Sequence, residues 1–154
     1  MLSEIPNDLR CGPIRLQFDK IVDGDPQRDL VPYYHFRVLE HTKTSVGHIN
    51  FRVGGTRHIL QCAGHVGFEI MQAFRGHSYS YYACRALAPF IGRHYRTVII
   101  TADPANTASQ RIIQKLGASF INQIVVPDND PAYSGGARHK LRYEWIPNGN
   151  IEHV

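Results

Sequence analysis

The chain has no apolar run close to the roughly 20 residues that a membrane-spanning helix needs. Its first residues lack the basic-then-apolar pattern of a secretory leader. A membrane partner is therefore not expected. Cysteine is scarce: Cys11, Cys62 and Cys84 are odd in number and show no paired spacing. That excludes a disulfide framework and a cysteine-rich metal cluster, and it suits reduced thiols in the cytoplasm. Nine histidines include neither an HxH nor an HExxH pairing, so no metal site is expected. Repeats and low-complexity stretches are absent. Charge of one sign is not concentrated either. The balance is +4, with a pI near 9.1, but the charges are scattered. This suits an anionic ligand such as a nucleotide cofactor better than the dense basic face that nucleic acid requires.

What remains is the composition of an ordinary globular protein, 43% hydrophobic and 19% charged. A single domain over residues 1–154 is the expectation. Residues 1–12 show no clear period. Ile14, Leu16 and Phe18 alternate with polar residues, as in a half-buried strand. Asp23 to Asp29 is turn chemistry. Tyr34, Phe36 and Val38 alternate again, His41 to Ser45 turns the chain, and Ile49, Phe51 and Val53 make a third strand. Short connections predict an antiparallel meander. Leu60 to Met71 reads as a fourth strand, with Gly67 marking a bulge or a close approach.

A helix is predicted from His77 to about His94, with Tyr79, Tyr82, Ala83, Ala86, Leu87, Phe90 and Ile91 on one face. Pro89 lies inside it and should remove one hydrogen bond. Thr97 to Thr101 is a short apolar strand. A second helix runs from Thr107 to Leu116, with Ala108, Ile112 and Leu116 stacked and Gly117 placed as a left-handed cap. Phe120 to Val126 and Lys140 to Ile146 are the last strands, separated by a polar loop over 127–138. The order is ββββαβαββ: an α/β (α+β) chain around a mixed, mostly antiparallel sheet of about seven strands.

The stretch His65 to Ser80 organises the chain. An apolar strand meets a short polar turn, and Arg75-Gly76 then opens the long helix. The first N–H groups of a helix have no internal partner, and its macrodipole adds positive charge there. Such an end accepts a phosphate, and Arg75 would add a forked donor. Either a diphosphate is held at residues 76–81, or this is a plain strand-to-helix connection with a surface arginine.

Two motifs, GHVGFEIMQAFRGHSYSYYA and ITADPANTASQRIIQKLGASF, resemble the GNAT superfamily of N-acetyltransferases. The likeness covers about Ala63 to Phe120. The wording is similar to a branch of predicted acetyltransferases and to enzymes that acetylate ribosomal-protein N-termini. The resemblance implies acetyl-CoA as co-substrate and direct transfer to a primary amine on a small molecule or peptide. It implies Arg75 and the backbone from Gly76 through His77, Ser78, Tyr79 and Ser80 to Tyr81 as the diphosphate site. Ile70 would pair its backbone with the pantetheine arm, and a bulge near Gly67 would splay the strands to make room. Asn106 would stand near the thioester or simply cap its helix, and Ser109 would contact the arm or sit on the surface.

Three departures stand against the family pattern. Ser78 and Ser80 occupy positions that are usually glycine or alanine. Ile113 occupies a position where many members have a general-acid tyrosine. Only a turn separates the first two strands, where members place two helices that wall the acceptor site; a second subunit, as in a homodimer, could complete that wall. For the chemistry, His65 or Glu69 could take the amine proton, or His65 could be a structural strand residue and Glu69 a solvent-facing one. Tyr133 could protonate the leaving sulfur, shape the acceptor pocket, or pack on the sheet. The alternative is a GNAT-like module that binds an acyl-CoA or another nucleotide without turnover.

Overall fold

The computed structural model describes residues 4–40 and 43–148. The alternation read from the sequence becomes a five-stranded antiparallel sheet in the order β1-β2-β3-β4-β5. Its strands are β1 (Leu9–Cys11), β2 (Ile14–Val22), β3 (Tyr33–Glu40), β4 (Ser45–Arg52) and β5 (Val66–Ile70). β1 lies in the stretch where no period was legible. The turn expected at His41 to Ser45 falls partly outside the described residues, as does the lead-in at 1–3. Helix α1 (Tyr79–Gly92) follows, then β6 (Val98–Ala102), α2 (Thr107–Lys115), β7 (Ser119–Val125), the short α3 (Pro131–Ser134) and β8 (His139–Trp145). Strands β6, β8 and β7 form a second antiparallel sheet. Among the described residues no helix is long and apolar enough to cross a membrane.

Period-2 alternation sorts the five-stranded sheet into rows. Phe18, Phe36, Ile49 and Phe68 stand side by side across β2–β5, and Ile21, Tyr34, Phe51 and Val66 form a parallel row. Helix α1 packs its stripe of Ala83, Ala86, Leu87, Phe90 and Ile91 into the core these rows begin. Phe90 sets its ring edge-on to Tyr34, Phe36 and Phe51, with centroids 5.0, 6.1 and 5.9 Å away, a favoured aromatic arrangement. The helix runs through Pro89, which is exposed, so the missing donor faces solvent. Between β2 and β3 lies only a turn, Pro26–Arg28, closed by the Asp25–Leu30 bridge.

Two sequence expectations change at β5. Residues 58–63 are not the start of β5 but a π-helical turn, His58–Ala63. Short apolar runs do not separate strand from helix by period alone, and tertiary partners decide here. Arg52 donates to the Ala63 and Gly64 carbonyls and Arg142 to that of Leu60. Gly67 is also not a bulge: the β4–β5 register is regular from Phe51–Val66 to Gly47–Ile70. The glycine instead makes room for the Arg52 guanidinium, which would stand 2.9 Å from a Cβ there.

The two sheets meet at a seam. After the α1 crossover, β6 comes beside β5, where the mixed sheet expected from the sequence would have its parallel pair; both sheets are instead wholly antiparallel. A single backbone hydrogen bond joins β5 and β6 among the described residues, from the His65 N–H to the Ile99 carbonyl at 2.7 Å. Beyond it the strands splay, and the free edge of β5 is left open from Phe68 to Ile70.

Candidate active site

A cleft of about 580 Å³ fills this opening. One wall is Phe68, Glu69 and Ile70 on β5. The floor is Phe74, Arg75, Gly76, Ser78, Tyr79 and Ser80. The other wall is Asn106, Ala108, Ser109, Arg111 and Ile112 from α2.

The start of α1 is built as an anion site. Ser78, its N-cap, has φ 59° and ψ 27°, a left-handed conformation, and its side chain makes no capping bond. The first helical turn closes from the Tyr82 N–H to the Ser78 carbonyl. The N–H groups of Tyr79, Ser80 and Tyr81 therefore lack intrahelical partners at the cleft floor. The Tyr79 hydroxyl donates to the Glu40 carboxylate and ties the helix start to the end of β3. Arg75 Nε donates to the Ile70 carbonyl at 2.9 Å. This fixes the arginine between β5 and α1, and its two terminal nitrogens carry no partner among the described residues.

Asn106 is an N-cap: its side-chain oxygen accepts from the Ser109 N–H at 3.0 Å. Both residues also face the cleft. On α2 the expected stripe is split. Leu116 is buried, as is Ile113, whereas Ala108 and Ile112 line the cleft. The sequence stacked Ala108 and Ile112 with Leu116 on one face without assigning them to the cleft, and it missed Arg111, one turn on from Ala108; the i, i+3, i+4 spacing was the available signal. Ile113 is fully buried in the core, so that position holds no general acid.

The structure brings together Glu69, Ile70, Arg75, Gly76, Ser78, Tyr79, Ser80, Asn106 and Ser109. It does not place the other candidates among the lining residues. The His77 ring lies against Tyr79, and Tyr81 lies under the Lys115 ammonium at 4.4 Å. Tyr133 sits in α3, with the Arg138 guanidinium 3.6 Å over its ring. His65 is 4% exposed. Its Nδ1 accepts from the Ile99 N–H at 3.0 Å while its backbone N–H donates to the Ile99 carbonyl. It thus closes the foot of the seam and does not face Glu69 across the cleft. Burial lowers its pKa, so the imidazole is neutral. Burial also raises the Cys84 thiol, and burial together with Asp130 pushes Cys62 up to about 11. Neither is an activated nucleophile. Asp130 in turn accepts from the Ala132 N–H and pairs with His58 at 2.8 Å, pinning the 127–138 loop to the π-helical turn.

A family model described as the acetyltransferase (GNAT) domain matches residues 14–119. A comparison with curated proteins finds no match. Among solved structures the chain is similar to a GNAT-family acetyltransferase from Bacillus anthracis, at TM-score 0.58 and 19% identity, covering 74% of this chain and 66% of that one. It is similar to RimL, a ribosomal alpha-N-protein acetyltransferase solved in complex with coenzyme A, at 0.57 and 14%, covering 74% and 62%. A ribosomal-protein-S5-alanine acetyltransferase from Vibrio fischeri follows, at 0.57 and 15%, covering 76% and 63%. The chain spans slightly under two thirds of the length of these proteins. At such identities the structures share the fold, and fold alone does not assign activity. The family model, in contrast, spans the meander, the cleft floor and α2, and on that match the chain belongs to the GNAT acetyltransferase family.

Proposed function

We propose that the protein transfers the acetyl group of acetyl-CoA to a primary amine by direct attack, without an acyl-enzyme. The observation that carries this reading is the floor of the cleft. An uncapped helix start, fixed in a left-handed entry at Ser78, lies beside Arg75, whose terminal nitrogens are unpaired among the described residues. Backbone donors and an arginine fork together match a diphosphate. Above them the edge of β5, which has no strand partner among the described residues and whose Ile70 carbonyl already accepts from Arg75, offers its remaining backbone groups to an extended pantetheine arm. Ser78 takes the left-handed backbone conformation that glycine favours, so the turn into α1 keeps the shape a glycine would give it, at the cost of strain.

The residues supply two things to the reaction. The floor donors and Arg75 hold the diphosphate. Asn106 and Ser109 face the arm from α2, and Asn106 retains its side-chain N–H group for it, because only its oxygen serves as the cap. The cofactor supplies an activated acyl group whose thiolate leaves on attack. The fully buried Ile113 leaves the proton on the departing sulfur to the amine itself or to solvent.

Isothermal calorimetry tests this. Acetyl-CoA and free CoA should bind the wild type in the micromolar range. Arg75→Ala should weaken both by about 10-fold or more, the scale of a charge-assisted hydrogen bond of about 1.5–3 kcal/mol. Absence of binding to the wild type would remove the proposal.

A further inference from the structure

The rows of the sheet that face away from α1 are polar. In one of them Gln17, Arg37, His48 and Glu69 stand side by side on β2, β3, β4 and β5. None of the four is buried. The next row holds Lys20, His35 and Asn50, with Gly67 at its end. In a chain with helices between β2 and β3 a face of this kind could be walled; here the connection is one turn. Glu69 is the member of the row that also lines the cleft. Along β5 the side chains alternate, so Phe68 and Ile70 turn to the core face and Glu69 to the outer face. All three line the cleft because it follows the free edge of the strand. A group held in the cleft therefore meets the outer face at Glu69.

We propose that this row is the acceptor site. Glu69 and His48 receive the amine and its proton, and Arg37 holds an anionic group on the same molecule. This assignment rests on the acetyl-transfer reading above and deepens it. Neighbouring strands lie about 4.8 Å apart, which sets Arg37 and Glu69 about 10 Å apart across β4. The preferred acceptor is thus a primary amine with a carboxylate or phosphate at about that distance, such as a peptide with an acidic second residue.

The side chains are arranged for these tasks. Arg37 Nη1 donates to the Gln17 side chain at 3.2 Å, which steadies the guanidinium and leaves its other donors open. His48 makes no hydrogen bond among the described residues, so a ring nitrogen is available. Burial lowers its pKa, the His35 ring 5.2 Å away acts in the same direction, and Glu69 opposes them. The groups around it are His35 and Arg37 from β3, Glu69 from β5, Arg52 farther along β4, and Lys20 and Asp19 behind His35 from β2. The His48 imidazole is neutral at pH 7 and able to accept a proton.

The ammonium approaches the Glu69 carboxylate and gives one proton to His48. The freed nitrogen lone pair forms a C–N bond to the thioester carbon, and the C–S bond breaks with its electron pair on sulfur. The second amine proton ends on that sulfur. Amide and free thiol result, and His48 returns its proton to water.

The test measures transfer from acetyl-CoA to alanyl-glutamate, alanyl-lysinamide and butylamine, with calorimetry of acetyl-CoA binding for each variant. Alanyl-glutamate should show a KM about 10-fold lower than alanyl-lysinamide. Arg37→Gln should erase that difference through KM, with kcat unchanged. His48→Gln should lower kcat by about 100-fold, within the usual range for a lost general base. It should also abolish the acidic limb of the pH profile and leave acetyl-CoA affinity unchanged. A variant at His48 with wild-type kcat and acidic limb overturns the proposal, as does equal preference for the two dipeptides. If the wild type binds acetyl-CoA and transfers to none of the three amines, the acceptor assignment falls alone. If it binds no acetyl-CoA, the transferase reading falls and this one with it.

Discussion

Ser78→Gly should stabilise the protein, and the reason is local. Ser78 stands at φ 59°, ψ 27°, and no side-chain hydrogen bond to the helix start offsets that conformation. A left-handed residue with a Cβ costs about 1–2 kcal/mol. Glycine removes that cost but adds about 0.5–1 kcal/mol of chain entropy in the unfolded state. The difference favours the variant by roughly 0.5–1 kcal/mol. For a chain of this length that is a rise of about 1–4 °C in Tm. Ser78→Ala is the control. It keeps the Cβ and loses a hydroxyl that caps nothing, so it should not gain. Urea unfolding followed by far-UV circular dichroism reads both variants, and acetyl-CoA affinity should hold or improve in the glycine form. A loss of stability in Ser78→Gly would refute the reasoning, because it would mean that the hydroxyl makes a stabilising contact. Equal gains in both variants would show that the backbone is not strained.

Two further outcomes follow from buried side chains. Ile113→Tyr should not create a general acid; it should destabilise the fold by about 1–3 kcal/mol, the cost of overpacking a filled core position, seen as a lower urea midpoint. His65, held neutral with a lowered pKa, contributes stability that is present above pH 6.5 and lost as the pH falls through its folded value, because the unfolded chain binds the proton first. His65→Asn, which keeps an acceptor for the Ile99 N–H, should make urea midpoints between pH 7.5 and 5.5 fall less than in the wild type; an unchanged slope would leave His48 as the group responsible.

The element order was legible because alternation and helical spacing are long-range averages that survive context. Gly117, at φ 84°, and the Asn106 cap were legible because few residue types fit each demand. The site was legible where it depends on backbone: Arg75 and the helix start fall on the cleft floor. It was obscure where a side chain chooses between two partners. His65 lies on a strand in sequence terms, yet its imidazole is taken by Ile99, which is 34 positions away. Ala108 and Ile112 look like core residues by period, and they become wall only because β5 and β6 part beside them. His48 and Arg37 carried no signal until the register aligned them with Glu69.

That parting has another consequence. An unpaired strand edge is a template on which other chains can assemble. β5 and β6 each leave one edge unpaired, but these edges begin side by side at His65 and Ile99, within one molecule. The β5 edge is screened by α2 and the start of α1 across the cleft, and the β6 edge meets the 58–64 segment, where Thr101 donates to the Cys62 carbonyl. On the β5 side the edge lies in a cleft walled by Phe74 and α2, which a foreign β-strand would have to pass. The protein can keep bare backbone available for recognition without presenting it to its neighbours as a surface for aggregation.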